Sequence, residues 1–525
     1  EIAQCLVGSE MCIRDSFYVW NKITGEYDGH SPNREGAELK QTYSTSQAMT
    51  FEFQAAYNKT IAQDHQLGAL FVFSRSEGAD ENFWASRTKY RIYSIQQLFA
   101  GPDKDKDNSG SASETGKVGS VFRLTYNYKE KYMLEANGRL DGSEKFPKSK
   151  RYGFFPSVSA AWRISAEPFM EPFSGVLSNL KLRTSWGRAG TDNIGQFQYM
   201  SAYGTGGDAV FGGQNPEIAP GYTETRFPNP NITWETSEMF NIGIDASFFN
   251  GKLNLEADWF YKKTNDILRE RTDMPAILGY KLPAANVGKV DNRGIDLNIT
   301  HRNHLRDFNY SIAGNLTWAR NKVIDLLEPA GEKNNPRQRS TGHSMSQYFG
   351  YEALGLFQSD EEANNWPQPQ FGKAKAGDIT YKDLNGDGKI DSNDQKEDVG
   401  NPTVPEVVYG FGFNAEWKGF YAGIFFQGAG NTSTVLGTGA DATFFPFQWG
   451  VEESAVRSVV ADRWTEQNPS QNVMFPRMHS NNFQNNTVAS TWWLRDASFL
   501  RLKNIELGYN FDKKLLKKLN IEALR

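Results

Sequence analysis

Apolar and polar residues alternate along this chain, segment after segment, over stretches of about ten residues. In MTFEFQAAY, Met49, Phe51, Phe53, Ala55 and Tyr57 share one face, opposite Thr50, Glu52 and Gln54. In YMLEANGRLD, Tyr132, Leu134, Ala136, Gly138 and Leu140 oppose Glu135, Asn137, Arg139 and Asp141. LNLEADWFY sets Leu253, Leu255, Ala257, Trp259 and Tyr261 against Asn254, Glu256 and Asp258, and FNYSIAGNLTW repeats the arrangement. This period of two predicts strands near 47–58, 64–75, 118–128, 131–142, 153–164, 179–189, 236–249, 252–264, 292–302, 307–320, 405–417, 419–428 and 498–511. A further strand starts at Ile521–Arg525, and 17–23 is a candidate for one more. A face that is apolar with aromatic ends, backed by a polar and charged one, suits strands between lipid and a watery lumen. A soluble sandwich alternates too, so the pattern favours the membrane only modestly.

The connections discriminate better. YKEK, FNGK, RNHLRD and WKGF are tight turns, and the links between them are long: 76–117, 190–235, 265–291, 321–404 and 429–497. Short and long links are expected to alternate without exception. Short turns on one rim and long loops on the other make an outer-membrane barrel, and compact soluble domains seldom carry loops of this length.

Composition narrows the classes. The 525 residues are 38% hydrophobic and 14% aromatic, with 48 glycines, and mean hydropathy is −0.61. No apolar run approaches the ~18–20 residues of a spanning helix, and a chain this aromatic is not globally disordered. A net charge of −5 argues against nucleic-acid binding through bulk electrostatics. Both cysteines, Cys5 and Cys12, lie in EIAQCLVGSEMCIRDS. Residues 1–16 read as a non-native, adaptor-derived leader, with a native loop as the alternative. Without that segment no thiol chemistry remains. The six histidines are scattered; His301 and His304, beside basic residues, read as part of a solvated turn.

Specific strings then carry a resemblance. LEANGRLDGSEKFPKSKRYGFFPSVSAAWRISAEPFM, LKLRTSWGRAGTDNIG, NPNITWETSEMFNIGIDASFFNGKLNLEADWFYKKTNDIL, NVGKVDNRGIDLNI, GYEALGLFQS, GDITYKDLNGDGKIDSNDQ and ASFLRLKNIELGYNF resemble the SusC/RagA family of TonB-dependent outer-membrane transporters. They run in family order from about residue 47 to Arg525. The resemblance implies an all-β fold, an antiparallel transmembrane β-barrel, with residues 17–525 forming part of a wall of about 22 strands and the plug domain absent. An open sheet of this kind is not expected to be stable alone in lipid. It further implies a multi-pass barrel in a Gram-negative outer membrane that takes up oligosaccharides or peptides with a SusD-like lipoprotein. TonB is expected to act through the missing N-terminal region, and the chain to be no enzyme. A siderophore or cobalamin receptor is the alternative within transport. A secreted calcium-binding, β-rich glycan-binding or adhesion protein is the alternative from another class.

One segment carries local chemistry. DLNGDGKIDSND, Asp383 to Asp394, has the spacing of a calcium loop. Asp383, Asn385 and Asp387 offer side-chain oxygens, Lys389 its carbonyl, Asp391 a direct or water-mediated contact, and Asp394 the closing ligand. Gly388 supplies the sharp turn. Ca²⁺ is therefore the candidate cofactor, since carboxylates this close repel unless a cation offsets them; a solvated Asp/Asn/Gly turn is the plainer reading. Trp366, Trp449, Trp492 and Trp493, with Phe444, Phe445 and Phe447, are candidates to stack on ligand, or simply hold the long loops together. Glu135, Arg139, Asp141, Glu256 and Asp258 are expected to face the lumen. Lys513, Lys514, Lys517 and Lys518 read as a solvated turn. No motif calls for covalent catalysis.

Overall fold

Extended backbone dominates the computed structural model, which describes residues 11–14, 18–21, 26–29, 38–90, 95, 97–104, 106–211, 217–271, 282–335, 337, 339–396, 399–437, 444–447, 456–480 and 483–511. Fourteen strands make one sheet whose order follows the chain. They are β1 (Met11–Arg14), β2 (Glu38–Ile61), β3 (His65–Arg87), β4 (Lys106–Tyr128), β5 (Tyr132–Ser143), β6 (Tyr152–Arg163) and β7 (Leu177–Thr191). Then come β8 (Glu235–Phe248), β9 (Leu253–Glu270), β10 (Ala284–Leu305), β11 (Phe308–Asp325), β12 (Val407–Trp417), β13 (Phe420–Gly430) and β14 (Phe499–Tyr509). All thirteen strands expected from alternation are present. No described helix is long and apolar enough to cross a membrane, which leaves crossing by strands untouched.

Several strands outrun the alternating pattern. β3 continues to Arg87 and β4 begins at Lys106, so most of the expected loop 76–117 is ladder. β9 and β10 likewise take much of 265–291. The apolar pattern ends where the lipid-like requirement ends, whereas backbone hydrogen bonding is indifferent to polar side chains and carries on. Link lengths also correct the expected alternation: 164–176, on the short-turn side by order, is longer than 144–151, on the long-loop side. Tyr18–Asn21 pairs with Glu26–Gly29 in a separate hairpin instead of joining the large sheet. Within the stretch read as a leader, the Met11–Arg14 backbone pairs with Gln41–Glu38. The strand start at 521–525 and the lysines of 513–518 lie outside the described residues.

The chain divides into two compact units, whose boundaries fall inside β2 to β6. The first comprises Glu1–Tyr57, Ala69–Arg123 and Gly138–Phe154. Here the link after β3 is tied down by its own residues. Arg87 donates to the Gly101 carbonyl at 2.6 Å and pairs with Asp103 at 3.0 Å, and the buried Tyr90 ring lies against Gly101.

The second unit holds Asn58–Gly68, Leu124–Asn137 and Phe155–Arg525. Its ladders run in continuous register, so side chains line up across many strands. One such row is Ile242, Trp259, Ile295 and Trp318; another is Leu297, Leu316 and Tyr409. Large apolar members of these rows are exposed, Ile295 at 45% and Trp259 at 41%, which no soluble sheet of this size tolerates on one contiguous face. Aromatic rings stack at the short-turn ends, Tyr128 on Tyr132 at 6.3 Å and Tyr132 on Trp162 at 6.4 Å. Glu167, in the following link, accepts from the Tyr132 hydroxyl at 2.6 Å and the Trp162 indole at 3.1 Å. Those donors, the hydroxyl foremost, hold its carboxyl below the usual carboxylate range.

Because the exposed rows require lipid, placing a charge among them should be far costlier than placing it on the other face. Leu297→Arg, in the middle of the apolar rows, should cost about 2–4 kcal/mol of folding free energy in lipid, read from urea titration of the vesicle-inserted protein. Asp296→Arg, one residue along, should cost little. Equal costs would show that the two faces have been assigned wrongly.

Candidate functional site

Polar residues on the face opposite the exposed rows are joined by short-range charge pairing. Arg183 on β7, Gly243 on β8 and Asp258 on β9 are in register. Arg183 reaches over Gly243 to Asp258, with Nη1 to Oδ1 at 3.0 Å and Nη2 to Oδ2 at 2.9 Å. Its Nε also donates to Asp245 at 2.9 Å, which Lys181 approaches at 3.1 Å. The missing side chain makes this possible, since a Cβ at Gly243 would strike both the Asp258 carboxylate and the Arg183 guanidinium. Of the residues expected on this face, Asp258 belongs to the network, and Glu256 accepts from Asn298 at 3.4 Å. Arg139 and Asp141 pair at 2.6 Å, and Glu135 accepts from Asn137 at 2.7 Å. Lys181 and Arg183, with Glu135 and Asn241, line a polar concavity of about 750 Å³. Arg183 and Gly243 carried no signal in the sequence, because their partnership depends on register between three strands.

The two longest links fold on themselves. Tyr351, Ile379, Tyr381, Ile390, Trp464, Phe475 and Trp493 form their buried core. Trp493 is fully buried, its ring 5.0 Å from Phe445 and 5.6 Å from Phe475, and its indole N–H donates to the Asn486 carbonyl. This corrects the ligand-stacking expectation for Trp493, Phe444 and Phe445, which are core residues. Trp366 sits edge-on to Phe357 and donates to the Tyr381 carbonyl at 2.9 Å. Trp492, half-buried, donates to the Met474 carbonyl at 3.0 Å. Trp449 lies outside the described residues.

A polar clasp inside this core was invisible in the sequence, because its members are about a hundred residues apart. Asp378, fully buried, accepts from the Lys375 N–H at 2.8 Å and the Asn486 amide at 2.8 Å, and contacts His479 Nε2 at 2.7 Å. The Tyr381 hydroxyl donates to the Asn485 carbonyl at 2.6 Å, and complete burial pushes its pKa up.

The Asp383–Asp394 loop is a set of carboxylates turned onto backbone N–H groups. Asp383 accepts from Gly386 at 2.6 Å and Gly388 at 2.9 Å. Desolvation pushes its carboxyl up, but the Gly388, Gly386 and Asp387 N–H groups outweigh this and hold it below the usual range. Asp387 accepts from Lys389 N–H and the Asn385 amide, and Asp391 from Asn393 N–H. Asp394, fully buried, accepts from Leu384 at 2.8 Å, Asn385 at 3.3 Å and Asp391 at 2.9 Å. Arg337 adds bonds to the Asn393 and Leu384 carbonyls. As placed, no three His, Cys, Asp or Glu side chains among the described residues converge to hold a metal ion.

The Gly243 gap makes a direct prediction. Gly243→Ala should displace the Asp258 carboxylate, break its bridge to Arg183 and cost about 1–2 kcal/mol. In an Asp258→Ala background the same change should cost much less. Additive losses in the double-mutant cycle would sink the idea.

The family model described as TonB dependent receptor-like, beta-barrel, matches residues 14–524. The chain is similar to TonB-dependent receptor P26 of Formosa agariphila, 32% identical over 75% of this chain and 39% of the relative. It is also similar to TonB-dependent receptor SusC of Bacteroides thetaiotaomicron, 27% identical over 88% of this chain and 44% of the relative. The solved structure of the RagAB peptide transporter matches with a TM-score of 0.73 at 22% identity, covering 93% of this chain and 51% of that one. The chain spans about half the length of the curated relatives it matches.

Proposed function

The chain belongs to the TonB dependent receptor-like β-barrel family, of SusC/RagA type, and from that membership we propose that it forms wall and outer loops of a nutrient importer. Its place is the outer membrane, as a multi-pass β-barrel. The proposed cargo is an oligosaccharide or a peptide, captured with a SusD-like surface lipoprotein, and TonB supplies the energy. The observation that carries the reading is the two-faced sheet, exposed apolar rows on one side and the Lys181–Arg183–Asp245–Asp258 network on the other. Such a wall needs lipid outside and water inside. The long links, folded around their own core, supply a firm surface for a lipoprotein to meet. No step of this reading needs covalent chemistry.

The test is genetic and biochemical. A strain lacking the full-length receptor should lose growth on particular oligosaccharides or peptides, and tagged receptor should bring down a surface lipoprotein. Unimpaired growth on every substrate tried, with no lipoprotein recovered, would overturn the importer reading.

For the Asp383–Asp394 loop we propose Ca²⁺, with Asp383, Asn385, Asp387, the Lys389 carbonyl, Asp391 and Asp394 as its oxygen donors. The support is the density of carboxylates, whose mutual repulsion a cation relieves. Calcium should slow proteolysis of this loop in the receptor, and Asp387→Ala should abolish that protection while the sheet stays folded. Identical cleavage with and without calcium would leave the loop held by its N–H donors alone.

A further inference from the structure

The exposed apolar face ends, toward the long loops, in an ordered change of chemistry. Continuous register places Thr184, Ile242, Trp259, Ile295 and Trp318 in one row across β7 to β11. The next row on that face is Trp186, Phe240, Tyr261, Arg293 and Arg320, and the one after it is Arg188, Glu238, Lys263, Asp291 and Lys322. Contacts confirm the shared face. The Tyr261 hydroxyl donates to Asp291 at 2.6 Å, and Lys263 Nζ lies 5.4 Å from the centre of the Tyr261 ring. From Leu253 to Tyr261 the strand climbs about 27 Å along its own axis. At barrel tilt that accounts for most of the ~25 Å apolar band. The aromatic and basic rows therefore stand at the outer lipid–water boundary.

The charges do not balance there. Arg188 is paired with Glu238 at 3.4 Å and Arg320 with Glu406 at 2.9 Å, while Asp291 is engaged by Tyr261. Among the described residues Arg293 and Lys322 have no carboxylate at ion-pair distance, and both are exposed. Together with Arg320, Tyr261 and Asp291 they border a concavity of about 520 Å³ at the long-loop end of the sheet. Uncompensated cations directly above a lipid-facing band, next to a hollow of this size, call for an anion carried by the lipid itself.

We propose that Arg293, Lys322 and Lys263 bind the phosphate of an anionic glycolipid in the outer leaflet, with its acyl chains against Trp259, Ile295 and Trp318. The cations fix the head, and the apolar row below fixes the tails. The proposal rests on the outer-membrane placement but not on transport, so a negative uptake assay leaves it standing.

The test uses the receptor purified from outer membranes and placed in phosphatidylethanolamine vesicles, with or without lipid A. Native mass spectrometry counts the lipid retained. Wild type should retain lipid A in preference to phosphatidylethanolamine. R293Q/K322Q should weaken retention by about fivefold per cation removed, and R293K/K322R should keep it. Lys262→Gln, one residue along β9 and therefore on the opposite face, should change nothing. Should R293Q/K322Q fail to assemble, a sodium chloride titration of the wild type decides: steep loss with salt supports the site, and salt-independent retention overturns it. Retention unchanged in R293Q/K322Q, no preference for lipid A, or equal displacement of lipid A by inorganic phosphate would each overturn the assignment to a lipid.

Discussion

In hydrocarbon a backbone N–H or C=O has no water to turn to, so the ladder between neighbouring strands must satisfy nearly every one of them. That constraint fixes register, and register fixes everything else on the wall. A slip of one residue would turn Ile295 toward the charged side and Asp296 toward lipid. Trp259 and Trp318, the partners of Ile295 in register on the neighbouring strands, would then stand beside a carboxylate in lipid. Pairing that looks local is therefore collective.

The charged face shows how much rides on that collectivity. Arg183 and Asp258 sit on strands that are not neighbours, and they meet only because the residue between them in register is Gly243. The glycine is used here for its missing side chain, a window through which a guanidinium crosses a strand. A bridge spanning three strands opposes the sliding of β8 against either neighbour. It serves registry as well as stability, since an ion pair this close to solvent contributes only modestly by itself.

Legibility in the sequence followed the physics of each part. Alternation located β9 and β11 well because lipid on one side and water on the other write period two directly into the residues. It stopped short on β3 and β4, whose outer portions, such as Ser109–Lys117, carry few apolar residues to write a period of two. The long links were harder. Trp493 and Phe445 read equally well as ligand platforms or core, and only their packing against each other and against Phe475 decided it. Asp378, His479 and Asn486 form one clasp from distant segments, and no local pattern marks such a meeting. Asp394 was legible as a special position in its loop. Its occupation by three backbone N–H donors was not, because the spacing of acidic residues says where oxygens fall and not which donor they find.

The two halves of this design solve burial in opposite ways, and the difference bears on how they can change. The sheet carries its apolar residues outward and is held by its ladder. Almost any apolar side chain therefore serves at Ile242 or Ile295, while Gly243 is constrained by what passes over it. The long links carry theirs inward around Trp493, where shape complementarity matters and a lost ring leaves a cavity costing about 3–5 kcal/mol. Substitutions on the outside of the links, away from that core and from the Asp378 clasp, disturb neither ladder nor packing. Such a surface is free to diversify while the ladder and the packed core stay the same.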